Sequence, residues 1–328
     1  MKNDDSKKTT TKDNEVVSIE PPMSAVISMI VMLSTAIKFL PQSLDEINKS
    51  VDQGVFTRRL YPDAVSLNAL IAIRFLFGLF CLSVTVHAVL FANDKIKPTY
   101  LKPYSKLRDD DTYIHLKGKT FLYPFTCWSW NLLGLYFFLS SYIAAYSEEE
   151  NTTKQLTTLA LISWKIAAPT TLLIGAIVKY ALWPAALKNK GKGNHNFINL
   201  RPLLQHNANI VMALTELLFL GGIPLKGNET SLYKHLPLPL LFGVAYVFFS
   251  WSTLRHFNPK GIPAALYFFM DPTLGWRHTI SLWILLFVLG LFYTIYCAIE
   301  ALSTSGSSTT TSVLMFLVVC FVTCRFRD

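Results

Sequence analysis

The chain has 328 residues, of which 52% are hydrophobic and only 16% charged. The apolar residues fall in long runs instead of alternating with polar ones, which excludes a large soluble core and implies an integral membrane protein. The formal net charge of +9 lies in loops beside those runs, as the positive-inside rule requires, so nucleic acid is not an expected partner.

In chain order, residues 1–22 mix acids and bases in "MKNDDSKKTTTKDNEVVSIEPP". They fit neither a signal peptide nor a transit peptide, and they read as a disordered polar tail. Residues 23–64 form an N-terminal extension with an apolar run at 23–40, carrying Lys38 near its end and marginal as a span. Six stronger runs follow at 65–92, 121–146, 157–183, 203–224, 236–257 and 278–301. Each is long enough to cross about 30 Å of hydrocarbon as a helix. Residues 302–328 hold the linker "STSGSSTTTS" and a second marginal run at 310–324. The expected fold is all-α: a polytopic bundle of six core transmembrane helices over 65–301, with one marginal helix at each end.

The loops sort by charge. Loop 93–120 carries Lys95, Lys97, Lys102, Lys106, Arg108, Lys117 and Lys119, and loop 184–202 carries Lys188, Lys190, Lys192 and Arg201. Loops 147–156 ("SEEENTT") and 225–235 ("KGNETS") intervene. This alternation is that of an up-and-down path with the basic loops cytosolic. Glycosylation sequons at Asn48, Asn151 and Asn228 all fall on the other side if the first run spans. Eight spans put both termini in the cytosol, in an endoplasmic-reticulum, endomembrane or plasma-membrane protein. Cys81, Cys127, Cys297, Cys320 and Cys324 form no CxxC pair and no zinc-spaced cluster, so neither a disulfide framework nor a metal or other cofactor is expected. No nucleophile elbow, HExxH, P-loop or dinucleotide fingerprint occurs.

Intramembrane polarity remains. In "RPLLQHNANIVMALTELLFLGG" (201–222), Gln205, Asn209 and Glu216 lie four and seven residues apart, on one helix face that His206 borders. Asn207 lies beside them. Glu216 is roughly 15 Å deeper than His206. A bare carboxylate there costs on the order of 3 kcal/mol, so it should be protonated or hydrogen-bonded. In "FLYPFTCWSWNLLGLYFFLSSY" (121–142), Thr126, Ser129 and Asn131 follow Pro124, which begins or breaks the helix. Both runs enter from basic loops, which puts Thr126 and His206 in the same leaflet, roughly 5–8 Å below the interface. A hydroxyl beside an imidazole is the minimum for nucleophilic attack on an ester. Two simpler roles compete: a threonine bonded back to its own turn, and a structural histidine. His87 reads as a core histidine, and Arg74 as facing the bundle or snorkelling.

These stretches resemble the androgen-induced and androgen-dependent membrane proteins of the FAR-17a type, threonine hydrolases of fatty acid esters of hydroxy fatty acids. In "FLYPFTCWSWNLLGLYF", Thr126 falls at the family's nucleophile, followed by the aromatic pair Tyr136 and Phe137. In "FINLRPLLQHNANIVMALTE", His206 falls at the catalytic histidine, with Glu216 ten residues on. "GVAYVFFSW" (243–251) and "GIPAALYFFMDP" (261–272) resemble the family's glycine-tyrosine-tryptophan helix and its aromatic-acid segment. The likeness covers 65–301. Leu203 stands where the family has a further histidine. The resemblance implies a lipid esterase taking its ester from the bilayer, with Thr126 as nucleophile and His206 as base. Gln205, Asn207, Asn209, Glu216, Asn131 and Ser129 would support the site or bind substrate. The alternative is a transporter or lipid-binding membrane protein that uses Glu216.

Overall fold

Long apolar segments with few breakers wind into helices, because a helix satisfies its backbone groups internally where no water can. The computed structural model describes residues 20–51, 55–96, 113–146, 150–184, 200–221, 234–257, 263–304 and 308–325. Eight α-helices form among them: α1 (Met23–Val51), α2 (Leu67–Phe91), α3 (Phe125–Ala145), α4 (Glu150–Ile177), α5 (Leu200–Thr215), α6 (Pro237–Thr253), α7 (Trp276–Thr304) and α8 (Thr309–Thr323). Helices α4 and α5 each widen into a π-turn, at Val178–Leu182 and Glu216–Leu220. Serine caps begin two of the helices: Ser66 accepts from the Ala69 amide at 3.1 Å and Ser308 from the Thr311 amide at 3.2 Å.

The chain is thus an all-α bundle, and five of its helices are long and apolar enough to cross a membrane: Met23–Lys49, Leu67–Phe91, Lys154–Leu182, Pro202–Leu220 and Trp276–Ser303. The distribution differs from the sequence expectation. The first run, expected to be marginal, extends to a 27-residue candidate span. Run 236–257 yields only the 17 residues of α6. Helix α3, expected to be a strong span, is not among the five, its apolar character diluted by Trp, Tyr, Ser and Asn.

Contacts between helix ends fix the path. Ser24 at the start of α1 hydrogen-bonds Thr279 at the start of α7 (2.8 Å), while Glu46 near the end of α1 meets Lys234 just before α6 (2.9 Å). The start of α3 lies against the end of α2 through Thr85 and Asn131 (2.8 Å), and against the end of α6 through Tyr123, Phe249 and Phe257. Ser129, early in α3, bonds Thr170, late in α4. Asn207, early in α5, bonds Arg325, just past α8. Each helix therefore runs opposite to the one before it. Both terminal helices have their free ends where Thr126 lies, here called the Thr126 end.

Helix α4 is the hub. It packs against α1, α3, α5, α6, α7 and α8, and 78% of its span is buried. By contrast Phe75, Leu79, Leu82, Val86 and Leu90 make an exposed apolar stripe on α2, the face a bilayer would cover. One element was not foreseen. Asn93–Ile96 and Ile114–Lys117, read from sequence as basic loop, pair as antiparallel strands. The alternation in "IHLK" buries Ile114 and Leu116, and the His115 amide donates to the Phe257 carbonyl at 3.2 Å.

The tail 1–19, most lysines of the basic loops (97–112 and 185–199), the acidic 147–149, the sequon at Asn228 and the linker 305–307 lie outside the described residues, as do the side chains of Asn151 and Arg201.

Candidate functional site

Pro124 caps α3, and with it Thr126 enters the first helical turn. Thr126 lines a cavity of about 580 Å³, its open mouth included, bounded by α3, α4, α6, α7 and the segment 267–270. The walls are apolar: Leu173, Ile174 and Ile177 from α4, and Leu285, Leu286 and Leu289 from α7. Gly243 completes the α6 wall; a Cβ there would meet Leu289 at 3.1 Å and Leu286 at 3.3 Å. The polar groups of the lining are hydroxyls, from Thr126, Tyr246 and Tyr267. Tyr267 interacts with both Thr126 and Tyr246, and Tyr246 donates to the Tyr123 carbonyl at 3.1 Å. Burial pushes the Tyr267 phenol up to about 12, so it stays a hydrogen-bond donor at neutral pH. Rings hold this corner in place: Phe125 lies 4.9 Å from Tyr246, and Tyr267 stacks on Phe269 at 5.2 Å.

His206 does not line this cavity. It is buried on α5, next to Arg325, whose guanidinium lies 3.7 Å from the Trp183 ring. The levels of Thr126 and His206 in the bundle can be compared through a contact further along their helices. The Tyr136 hydroxyl donates to Glu216 at 2.9 Å, and each of these residues is ten positions past Thr126 and His206 respectively, on helices running the same way. Thr126 and His206 thus stand at one level, but the structure gives the cavity to Thr126 alone.

The other residues named from sequence have their own partners. Asn207 bonds the backbone of Arg325 twice, donating to its carbonyl (2.7 Å) and accepting from its amide (3.0 Å), which fastens α8 to α5. Ser129 bonds Thr170, and Asn131 bonds Thr85 and the Cys127 carbonyl, so both join helices outside the lining. Gln205 and Asn209 are buried, and their amide nitrogens find no hydrogen-bond acceptor among the described residues. Glu216 is ion-paired: Arg74 reaches it through Nε (3.1 Å) and Nη2 (2.5 Å), and the same guanidinium donates to the Phe56 carbonyl at 2.6 Å. Arg74 is turned into the bundle, whereas His87, read as a core histidine, is exposed beside Phe91. No cluster of metal-ligating side chains occurs among the described residues.

Two features, one at the site and one away from it, had no role assigned from sequence. Tyr246 and Tyr267 lie within the quoted stretches "GVAYVFFSW" and "GIPAALYFFMDP", and only the fold brings them to Thr126. The buried pair Lys165–Glu300 (2.8 Å) was signalled by charges inside two apolar runs, Lys165 in one and Glu300 in the other.

No protein-family model matches the sequence, and neither a curated protein nor a solved structure is significantly similar to it.

Proposed function

We propose that this multi-pass membrane protein hydrolyses an amphiphilic lipid ester, such as a fatty acid ester of a hydroxy fatty acid. The acyl chain lies in the cavity at Thr126, and the Thr126 hydroxyl attacks the ester carbonyl. The observation that carries this reading is the placement of that hydroxyl in a cavity walled by leucine and isoleucine side chains, beside the phenols of Tyr246 and Tyr267. Tyr267, a phenol beside Thr126, is placed to donate to the oxyanion that forms on attack. The C–O bond to the hydroxy fatty acid breaks, its oxygen leaves as a hydroxyl carrying the proton given up by Thr126, and water then hydrolyses the acyl-threonine to free acid and Thr126. The family resemblance supports Thr126 in this role and names His206 as base. Because His206 lies outside the lining, only Thr126 and Tyr267 are assigned to the reaction.

A second reading, a lipid-binding protein without turnover, is favoured by one observation: the side chain that meets Thr126 is a tyrosine and not an imidazole. The version built on Glu216 loses its free carboxylate to Arg74 and Tyr136.

The full chain in proteoliposomes, assayed on a panel of lipid esters and with a fluorophosphonate probe, separates the two. Hydrolysis and labelling by the wild type, with turnover lowered roughly a hundredfold or more in Thr126→Ala, support the enzyme. A protein that carries lipid but neither labels nor turns over any ester of the panel is the binder.

A further inference from the structure

A second polar cluster lies at the end of the bundle opposite Thr126. Lys165 on α4, only 2% exposed, donates to both carboxylate oxygens of Glu300 on α7 at 2.8 and 2.9 Å, and Tyr296 adds a bond to Glu300 at 3.2 Å. His235, in the turn before α6, is also 2% exposed, and neither of its ring nitrogens has a hydrogen-bond partner among the described residues. Beside it Lys234 pairs with Glu46 of α1 at 2.9 Å, the two side chains 34% and 26% exposed, so the cluster reaches the molecular surface there. Tyr293 and Cys297 of α7 complete the surroundings.

A neutral imidazole offers one donor and one acceptor, and burying both without partners is costly. Burial, with the nearby ammonium groups of Lys165 and Lys234 adding to it, lowers the His235 pKa to about 3, so the ring is neutral in the unliganded cluster. Each ammonium has three N–H groups. Lys165 directs its bonds at Glu300 and Lys234 at Glu46, which leaves N–H groups on both. A group that completes the cluster must therefore accept hydrogen bonds, and beside two ammonium groups with N–H to spare a carboxylate is a fitting acceptor. Glu300 does not fill that role, since it makes no hydrogen bond to either ring nitrogen of His235.

We infer that His235, Lys165 and Lys234 form a binding site for a carboxylate, reached from the Lys234–Glu46 surface. The carboxylate belongs either to a small soluble acid or to a fatty acid in the membrane. This site is separate from the Thr126 cavity and independent of the ester reading. The charges of Lys165 and Lys234 are matched by Glu300 and Glu46, so an added carboxylate is balanced by a proton taken up on His235. Binding raises the imidazole pKa, and affinity consequently rises as pH falls.

The test is the thermal unfolding midpoint of the full chain in phosphatidylcholine nanodiscs, at constant ionic strength, titrated with sodium acetate and separately with oleate. A saturable rise in midpoint is expected, stronger at pH 5.5 than at pH 7.5. His235→Leu should weaken it by about tenfold or more, and Lys234→Met at the exposed mouth should weaken it as well. Thr126→Ala should leave it intact. An acetate response identifies a soluble carboxylate as sufficient; a His235-dependent response to oleate alone identifies the lipid source. If His235→Leu does not fold, Lys234→Met carries the test. The proposal is overturned if neither acid shifts the midpoint, if the variants respond as the wild type does, or if chloride acts as strongly as acetate.

Discussion

Arg74 and Glu216 are both fully buried and lie against one another, with Tyr136 and the Phe56 carbonyl taking up further hydrogen-bonding capacity. Two charges withdrawn from water are tolerable only as a pair, and removing one strands the other. Arg74→Met should therefore destabilise the protein by about 3–5 kcal/mol, read from unfolding in detergent, and Arg74→Met with Glu216→Leu should recover part of that loss. The solvent-facing pair Asp45–Lys49, with side chains more than 60% exposed, should give no comparable change when cut. The helical stripe of Gln205, Asn209 and Glu216 made the carboxylate legible in the sequence as a costly group. Its partner was not legible, because helical periodicity shows which residues share a face and not which helix that face meets. Thr126 and His206 show the same limit: their common depth was readable, while the cavity that takes one and omits the other depends on how α4, α6 and α7 pack.

Helix α6 supplies Gly243 and Tyr246 to one wall, and that wall is thin because position 243 has no side chain. Leucine there would press against Leu286 and Leu289 from its Cβ onward and crowd the space they line. Gly243→Leu should shorten the longest acyl chain the protein accepts, or abolish lipid binding, while the α6 backbone keeps its helix; the check is chain-length profiling of bound or hydrolysed lipid. A wild-type profile in this variant would place the chain elsewhere. Quoted stretches of sequence pointed at this helix, but not at its meeting with Thr126. Tyr246 reaches the start of α3 through Phe125, and Thr126 itself meets Tyr267 from the segment 267–270, non-local contacts with no periodic signature.

Across the whole molecule, successive helices reverse direction, and the start of α1 and the end of α8 lie at the Thr126 end. Tags placed before residue 20 and after residue 325 should therefore be accessible from the same side of the membrane, measured by protease protection in sealed vesicles. Opposite accessibility would mean that one helix fails to cross. The up-and-down path was legible from apolar runs and alternating loop charge, since both record local insertion. The strand pair 93–96/114–117 was not, being four residues a side in a loop dominated by lysines.

The two buried ion pairs also order events in time. Arg74 precedes Glu216 by 142 positions, and Lys165 precedes Glu300 by 135, so in each pair the ribosome delivers the cation first. While the chain is being made, α2 and α4 emerge before the helices that carry the carboxylate partners of Arg74 and Lys165. Biogenesis is then a matter of holding early helices at the insertion machinery until late ones arrive. A nascent chain stalled before Glu216 is one that quality control can recognise by two unmatched cations.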